Sequence, residues 1–279
     1  MTLFVVLCVI TPDLDQNSVM RCIKSILGDV SEYKSYKIII GRNGCISSSL
    51  INELKGIEMV HMVDVSDNMM NLSYALNFLI DYSEKIYKPD LYFRMDPDDL
   101  WCKGRINNQM LIMDGNKNID ILGGGAIFID ESSNELYASV DEILPKQFQS
   151  KLIISSCMIH PTVVFRSRCF RELGLRYDDT LIRGQDWGLW RSAQSKNAVI
   201  YKDSKPVIYY KFTYSAWCRR FGFGVNKDNF IKSINAVFEY RKFHYIFPVL
   251  AVFIFKSIPF FKMHIFYDMY VKMKRKNTE

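Results

Sequence analysis

Leu91-Tyr92-Phe93-Arg94-Met95-Asp96-Pro97-Asp98-Asp99 is the stretch on which the fold turns. Leu91–Met95 reads as a short buried strand, and it stops abruptly at a turn that carries three carboxylates. Carboxylates crowded at the end of a buried strand repel one another and lose hydration unless something neutralises them. A hard divalent cation does so, and Mg²⁺ commonly takes one or two protein carboxylates together with phosphate oxygens. A turn whose aspartates cap the next helix fits the same spacing.

Upstream, strand and helix signals alternate. Leu3–Ile10 is rich in β-branched residues, Thr11-Pro12-Asp13 breaks it, and Ser18–Leu27 has helical apolar spacing. Lys37–Ile40 predicts a second strand ending at the turn signal Gly41-Arg42-Asn43-Gly44, followed by a short strand near Met59–Val63 and a helix over Leu72–Tyr82. This alternation predicts an α/β fold with a doubly wound, mainly parallel sheet covered on both faces. Ligands in such sheets bind beyond the carboxyl ends of the strands, so the turns at 11–13, 41–45 and 96–99 should gather at one edge.

Downstream, Ile119–Ile129 encloses Gly123-Gly124-Gly125, which predicts a strand closely approached by another group. Cys157–Arg166 reads as a strand and Asp186–Ser192 as the start of a helix. Tyr245–Phe255 is almost continuously apolar, aromatic residues continue to Tyr270, and Lys272, Lys274, Arg275 and Lys276 follow. The unbroken run is roughly half of the about 20 residues that cross a bilayer, and Lys256 and Lys262 interrupt it. Such a segment suits an interfacial helix with a basic end or a helical hairpin packed on the domain.

With 279 residues, 49% hydrophobic and 24% charged, the chain is neither a disordered protein nor a disulfide scaffold. Thirty-six basic against thirty acidic residues give +6, which permits an acidic partner without demanding one. The positive charge is too thinly spread for a nucleic-acid face. Seven scattered cysteines without a Cys-x-x-Cys pair predict reduced thiols and no zinc site. The apolar start lacks a basic flank and a small-residue cleavage site, so it reads as a buried strand of a cytoplasmic protein.

Several motifs together resemble glycosyltransferase family 2, inverting enzymes of the GT-A fold. The branch it is most similar to carries Arg-Met-Asp-Ala-Asp-Asp followed by Pro, Arg and Gln; Arg94 to Asp99 match except at Pro97, Arg105 and Gln109 fall at the expected offsets, and Gly104 stands near the proline. Ala75-Leu76-Asn77, Ile119-Asp120-Ile121-Leu122-Gly123, His160-Pro161-Thr162 with Phe165-Arg166, and Gln185-Asp186-Trp187 with Leu189-Trp190-Arg191 resemble further family segments in the right order. The resemblance spans roughly residues 3–240. It implies a GT-A domain over 1–240, with 1–100 as the nucleotide-sugar half and 101–240 as the acceptor half, while the composition of 241–279 predicts a C-terminal helical, membrane-interfacial extension.

By the same resemblance Asp98 and Asp96 hold Mn²⁺ or Mg²⁺, Asp99 supports them, and Asp186 is the base that deprotonates the acceptor hydroxyl. A single displacement with inversion needs one such base and no covalent intermediate. Pro12, Asp13, Asn43, Arg94, Asp96, Asp99 and Arg105 fall on the donor side; His160, Gln185, Trp187 and Arg191 fall on the acceptor side. Several positions have a plainer alternative. Asp186 can be an acid at a helix start, Arg105 an ion-pair partner of Asp96 or Asp99, His160 a core histidine, Trp190 core, and Arg219-Arg220 a solvated patch instead of a pair beside the diphosphate. Arg42-Asn43-Gly44 departs from the family's Asp-Gly at the base-binding strand, Met69-Met70-Asn71 replaces its Asn-x-Gly, and Gln185 replaces a common Glu.

The resemblance implies transfer of a hexose or N-acetylhexosamine from a nucleotide sugar (UDP-Gal, UDP-Glc or UDP-GlcNAc) to a saccharide acceptor. The acceptor is expected on a polyprenyl diphosphate at the inner face of the plasma membrane, in O-antigen, capsule or exopolysaccharide synthesis. A metal-dependent nucleotidyltransferase would share the acidic turn but should show a Gly-rich loop after the first strand. A non-catalytic saccharide-binding homologue would have no need of Asp96, Asp98 and Asp186 together.

Overall fold

Phe4–Ile10 forms β1, seven residues all buried. Its alternation divides it between two cores, with Phe4, Val6, Cys8 and Ile10 on one face and Val5, Leu7 and Val9 on the other. A strand buried on both faces belongs inside a sheet sandwiched by helices. The computed structural model describes residues 2–181 and 183–276 and places β1 there.

From β1 the chain passes through α1 (Gln16–Val30), capped by Asp15, to β2 (Tyr36–Asn43). Then come α2 (Ser48–Lys55), β3 (Val60–Ser66), α3 (Leu72–Ile86) and β4 (Leu91–Arg94). These strands lie in the order β3-β2-β1-β4, all parallel. The second half contains β5 (Leu100–Trp101), α4 (Arg105–Gly115), β6 (Ile121–Ile129), β7 (Glu135–Ser139), α5 (Pro145–Ile154), β8 (Val164–Arg166), α6 (Arg168–Arg171), α7 (Gln185–Ser195) and β9 (Ile200–Lys211). It extends the same sheet as β4-β8-β6-β9-β5, with β7 on β6. Here β8 runs antiparallel to β4 and β6, while β9 runs parallel to β6. The result is the expected α/β architecture, a mixed sheet whose parallel block is its first half.

Two local expectations change, and the close approach expected at the triple glycine is met. The turn signal at 41–44 is mostly strand, because Gly41 sits against Val65 and Leu79 and a larger side chain would meet them at 3.0–3.2 Å. The chain turns only at Gly44, where φ is +101°. Cys157–Arg166 is not one strand: Pro161 has no N–H for a ladder, so His160–Thr162 closes a 3₁₀ turn and only β8 pairs. The triple glycine lies where β7 and β9 close on β6, and a Cβ on Gly125 would stand 2.4 Å from the Ser139 carbonyl and 2.6 Å from that of Ser204.

Trp190 on α7 is fully buried and stacks on Phe165 of β8 at 5.9 Å, as the core alternative had it. Trp190→Ala should therefore destabilise the fold by about 3–5 kcal/mol in denaturant unfolding. A loss under about 1 kcal/mol would mean that α7 does not hold the sheet.

After β9 come α8 (Tyr214–Cys218), α9 (Phe223–Glu239), α10 (Ile246–Ser257) and α11 (His264–Lys276). The last two pack on the domain. Phe253 of α10 lies 4.4 Å from Phe230 of α9, and Tyr270 of α11 lies 4.8 Å from Trp217, between ring centres. Among the described residues no helix is long and apolar enough to cross a membrane. All seven cysteines are free thiols, and only Cys45 is exposed.

Candidate active site

Because β1, β2 and β4 are parallel, the turns that follow them meet at one sheet edge. Pro12 and Asp13 are exposed there, and Pro12 packs on Gly44 so closely that a Cβ at Gly44 would come within 2.9 Å of it. Asn43 is buried, and both ends of its amide are engaged: Nδ2 donates to the Met70 carbonyl at 2.8 Å and Oδ1 accepts from the Met70 N–H at 2.9 Å. Arg42 pairs with Asp64 and Asp67 and so ties β2 to the end of β3. These residues shape the edge, and the amide expected to meet a base instead fixes the Met69–Asn71 loop.

The acidic turn is held from three sides. The Arg94 guanidinium is buried, pairs with Asp96, and donates to the Met95 carbonyl. The inner oxygen Oδ1 of Asp99 accepts from the Lys211 N–H at 2.8 Å, joining the turn to the end of β9. The Asp29 carboxylate on α1 accepts from Trp101 Nε1 at 2.7 Å and from the N–H groups of Gly104 and Ile106, and so caps α4, whose own cap is a glycine. Nothing in the spacing of the sequence marks Asp29 for this role.

Arg105 lies beneath the turn, fully buried. Its Nε donates to Gln109 Oε1 at 2.9 Å, one terminal nitrogen donates to the Arg94 carbonyl at 3.1 Å, and its plane stacks on Trp101 at 4.0 Å. Burial pulls its pKa down to about 9. Arg105 is thus neither the ion-pair partner expected of it nor a group facing a donor: it is a buried brace, because carbonyl and amide oxygens and an aromatic face occupy its fork.

Asp96, in the turn after β4, and Asp186, on α7, come from the two halves of the chain and line one cavity of about 780 Å³. Asp186 stands in the first turn of α7, and Ser156 Oγ donates to its Oδ2 at 2.6 Å. Burial raises the Asp186 pKa above the ordinary carboxylate value; the Ser156 bond opposes the rise and the charge on Asp96 adds to it. His160 lines the same cavity, its Nε2 within 2.7 Å of Tyr177 Oη, and burial pushes its pKa far down, so it is neutral. Trp187 supplies a wall, with its indole N–H engaged at 2.8 Å by the Leu152 carbonyl. Gln185 begins α7 one residue before Asp186. Arg191 points elsewhere: it bonds the Lys232 carbonyl at 3.1 Å and Glu239 at 2.8 Å, clamping α7 to α9. Arg219 and Arg220 do line the cavity. So does buried Lys202, paired with Asp141 at 2.7 Å; a lone lysine inside a strand gave no motif by which to find it.

Among the described residues no three His, Cys, Asp or Glu side chains converge as a closed metal cage. The acidic turn does fit an ion that also takes ligand oxygens. Asp98 is exposed, and the outer oxygen Oδ2 of Asp99 is buried with no partner among the described residues. Burial together with the neighbouring Asp96 and Asp98 charges raises the Asp99 pKa well above normal. That is the signature of a negative cluster short of a counter-charge.

The fold is shared with solved structures. Residues 1–349 of S. aureus TarS superpose with a TM-score of 0.61 at 12% identity, over 99% of this chain and 77% of that one. The same TarS fragment in complex with UDP-GlcNAc gives 0.58 at 13% identity, over 76% of this chain and 59% of that one. In sequence, the chain is 32% identical over 101 residues to an uncharacterized glycosyltransferase of Methanocaldococcus jannaschii. That stretch is 34% of this chain and spans about a third (33%) of that relative's length. No family model matches the chain.

Proposed function

We propose that this chain is an inverting glycosyltransferase of the family-2 type. It moves a hexose or N-acetylhexosamine from a nucleoside diphosphate, UDP before others, onto a saccharide acceptor. One observation carries the reading: two carboxylates from the two halves of the chain, Asp96 after β4 and Asp186 on α7, face a single cavity, and Asp186 is hydrogen-bonded by a neighbouring hydroxyl and raised in pKa by burial. The local sequence likeness to a glycosyltransferase and the shared fold of a TarS fragment that binds UDP-GlcNAc support it.

Asp96 and Asp98, with Asp99 behind them, are the residues to hold Mn²⁺ or Mg²⁺, which when bound neutralises charge on the departing diphosphate. Arg94 fixes Asp96 from within the core and limits how far its carboxylate can swing. Asp186 accepts the acceptor hydroxyl proton as the oxygen attacks the anomeric carbon, while Ser156 keeps the carboxylate oriented. Neutral His160 adds no positive charge near Asp186 and leaves its basicity intact. Arg219, Arg220 and Lys256 in the cavity lining, with the apolar helix α10 beside them, suit an acceptor on a polyprenyl diphosphate and a peripheral place on the inner membrane face.

Calorimetric titration of the full chain with UDP, GDP and dTDP, each with and without Mn²⁺ or Mg²⁺, tests this reading. The expected result is UDP binding that requires the cation. A preference for GDP or dTDP would reassign the donor, and no nucleotide binding under any condition would sink the proposal.

A further inference from the structure

One face of α10 is set by Val249, Val252, Phe253 and Lys256, spaced as neighbours along a helix, and all four line the candidate active-site cavity. The other face carries Phe247, Leu250 and Ile254 at 80%, 40% and 53% exposure. A helix that is apolar all round is normally buried or in contact with lipid; here one side closes a reaction chamber and the other is bare.

Lys256 ends the cavity face. Its carbonyl accepts from the Gly222 N–H and from Asn226 Nδ2, both at 2.8 Å, which pins it to the start of α9. Arg220 lines the same cavity, its guanidinium 4.7 Å over the Phe212 ring. Burial and the Arg220 charge both lower the Lys256 pKa, so two like charges share a partly dry wall. Such a pair is stabilised by an anion brought to it. The donor's diphosphate has its own place at the acidic turn.

We propose that Lys256, with Arg220, binds the diphosphate of a lipid-carried acceptor, whose hydrocarbon chain leaves the cavity along the bare face of α10. The inference rests on the glycosyltransferase reading of the same cavity and assigns the acceptor's anchor within it. It also makes the C-terminal helices part of the substrate site.

The test uses the full chain, with inorganic pyrophosphate, farnesyl diphosphate and UDP plus Mn²⁺ as probes, and the variants Lys256→Gln, Lys256→Arg and Ile254→Asn. Farnesyl diphosphate should bind more tightly than pyrophosphate. Lys256→Gln should weaken both by about tenfold or more, as removal of a partly buried charge partner does, and Lys256→Arg should restore them. Ile254→Asn should weaken farnesyl diphosphate alone. Affinity for UDP with Mn²⁺ should not change in any variant.

Loss of UDP affinity in Lys256→Gln would give the cation to the donor and overturn the proposal. Equal binding of pyrophosphate and farnesyl diphosphate, with Ile254→Asn silent, would remove the lipid from it. A dimer dissociated by Ile254→Asn would assign the bare face to a second copy and overturn it as well. If UDP failed to bind any of these proteins while farnesyl diphosphate still responded to Lys256, the donor reading would fall and the lipid subsite would stand.

Discussion

Asp186→Asn is expected to lower turnover about a thousandfold while nucleotide affinity stays within about twofold, since a general base contributes roughly 10²–10⁴ to rate. The amide keeps the shape of the side chain and its acceptor oxygen for Ser156, so the change removes proton acceptance and little else. The pH profile supplies a second reading. The wild-type base must be ionised, and burial raises its pKa, so the rate should climb with pH through a midpoint above the ordinary carboxylate range. Ser156→Ala removes a bond that favours the ionised form, so it should move that midpoint further up. Normal turnover in Asp186→Asn, measured by release of the nucleoside diphosphate, would refute the base assignment.

Asp98→Asn is the second large effect: metal-dependent donor affinity should fall about a hundredfold, with the fold intact. Asp98 is exposed and its side chain bonds no neighbour among the described residues, unlike that of Asp99, whose inner oxygen fastens the turn to β9. Loss of one anionic ligand from a two-carboxylate site weakens a hard cation severely, because a single carboxylate, Asp96, is left beside the oxygens supplied by the nucleotide. Titration with UDP across a range of Mn²⁺ concentrations measures this. Unchanged metal dependence in Asp98→Asn would place the ion elsewhere or dispense with it.

The first half of the fold was legible because β-branched runs and breakers alternate there, and a doubly buried strand such as β1 has few other interpretations. Beyond residue 100 the signal weakens. β5 and β7 are short, and β9 carries Lys202, Asp203, Ser204 and Lys205 inside its span, so a run of polar residues breaks its apolar periodicity. The carboxylates of the site, Asp96 and Asp186, were found through motifs that structure brings to one cavity. The arginines were the hardest to read. Arg94 meets its acidic neighbour, but Arg105 and Arg191 are taken up by carbonyls, an amide, an aromatic face and Glu239, and spacing alone cannot tell a ligand-binding guanidinium from a bracing one.

The bond from the Lys211 N–H to Asp99 joins residues 112 positions apart. The strands β1 to β4, in contrast, are all complete by residue 94 and pair through local crossovers. During synthesis the parallel block can therefore collapse first, since short loops close at lower entropic cost than long ones. The acidic turn would then wait, with its inner carboxyl oxygen unanchored, until β9 emerges and seals it. A nascent chain halted before β9 would have the turns after β1 and β2 in place and the acidic turn unsealed, so the candidate site is completed late in the life of each molecule, with the last described strand of the sheet.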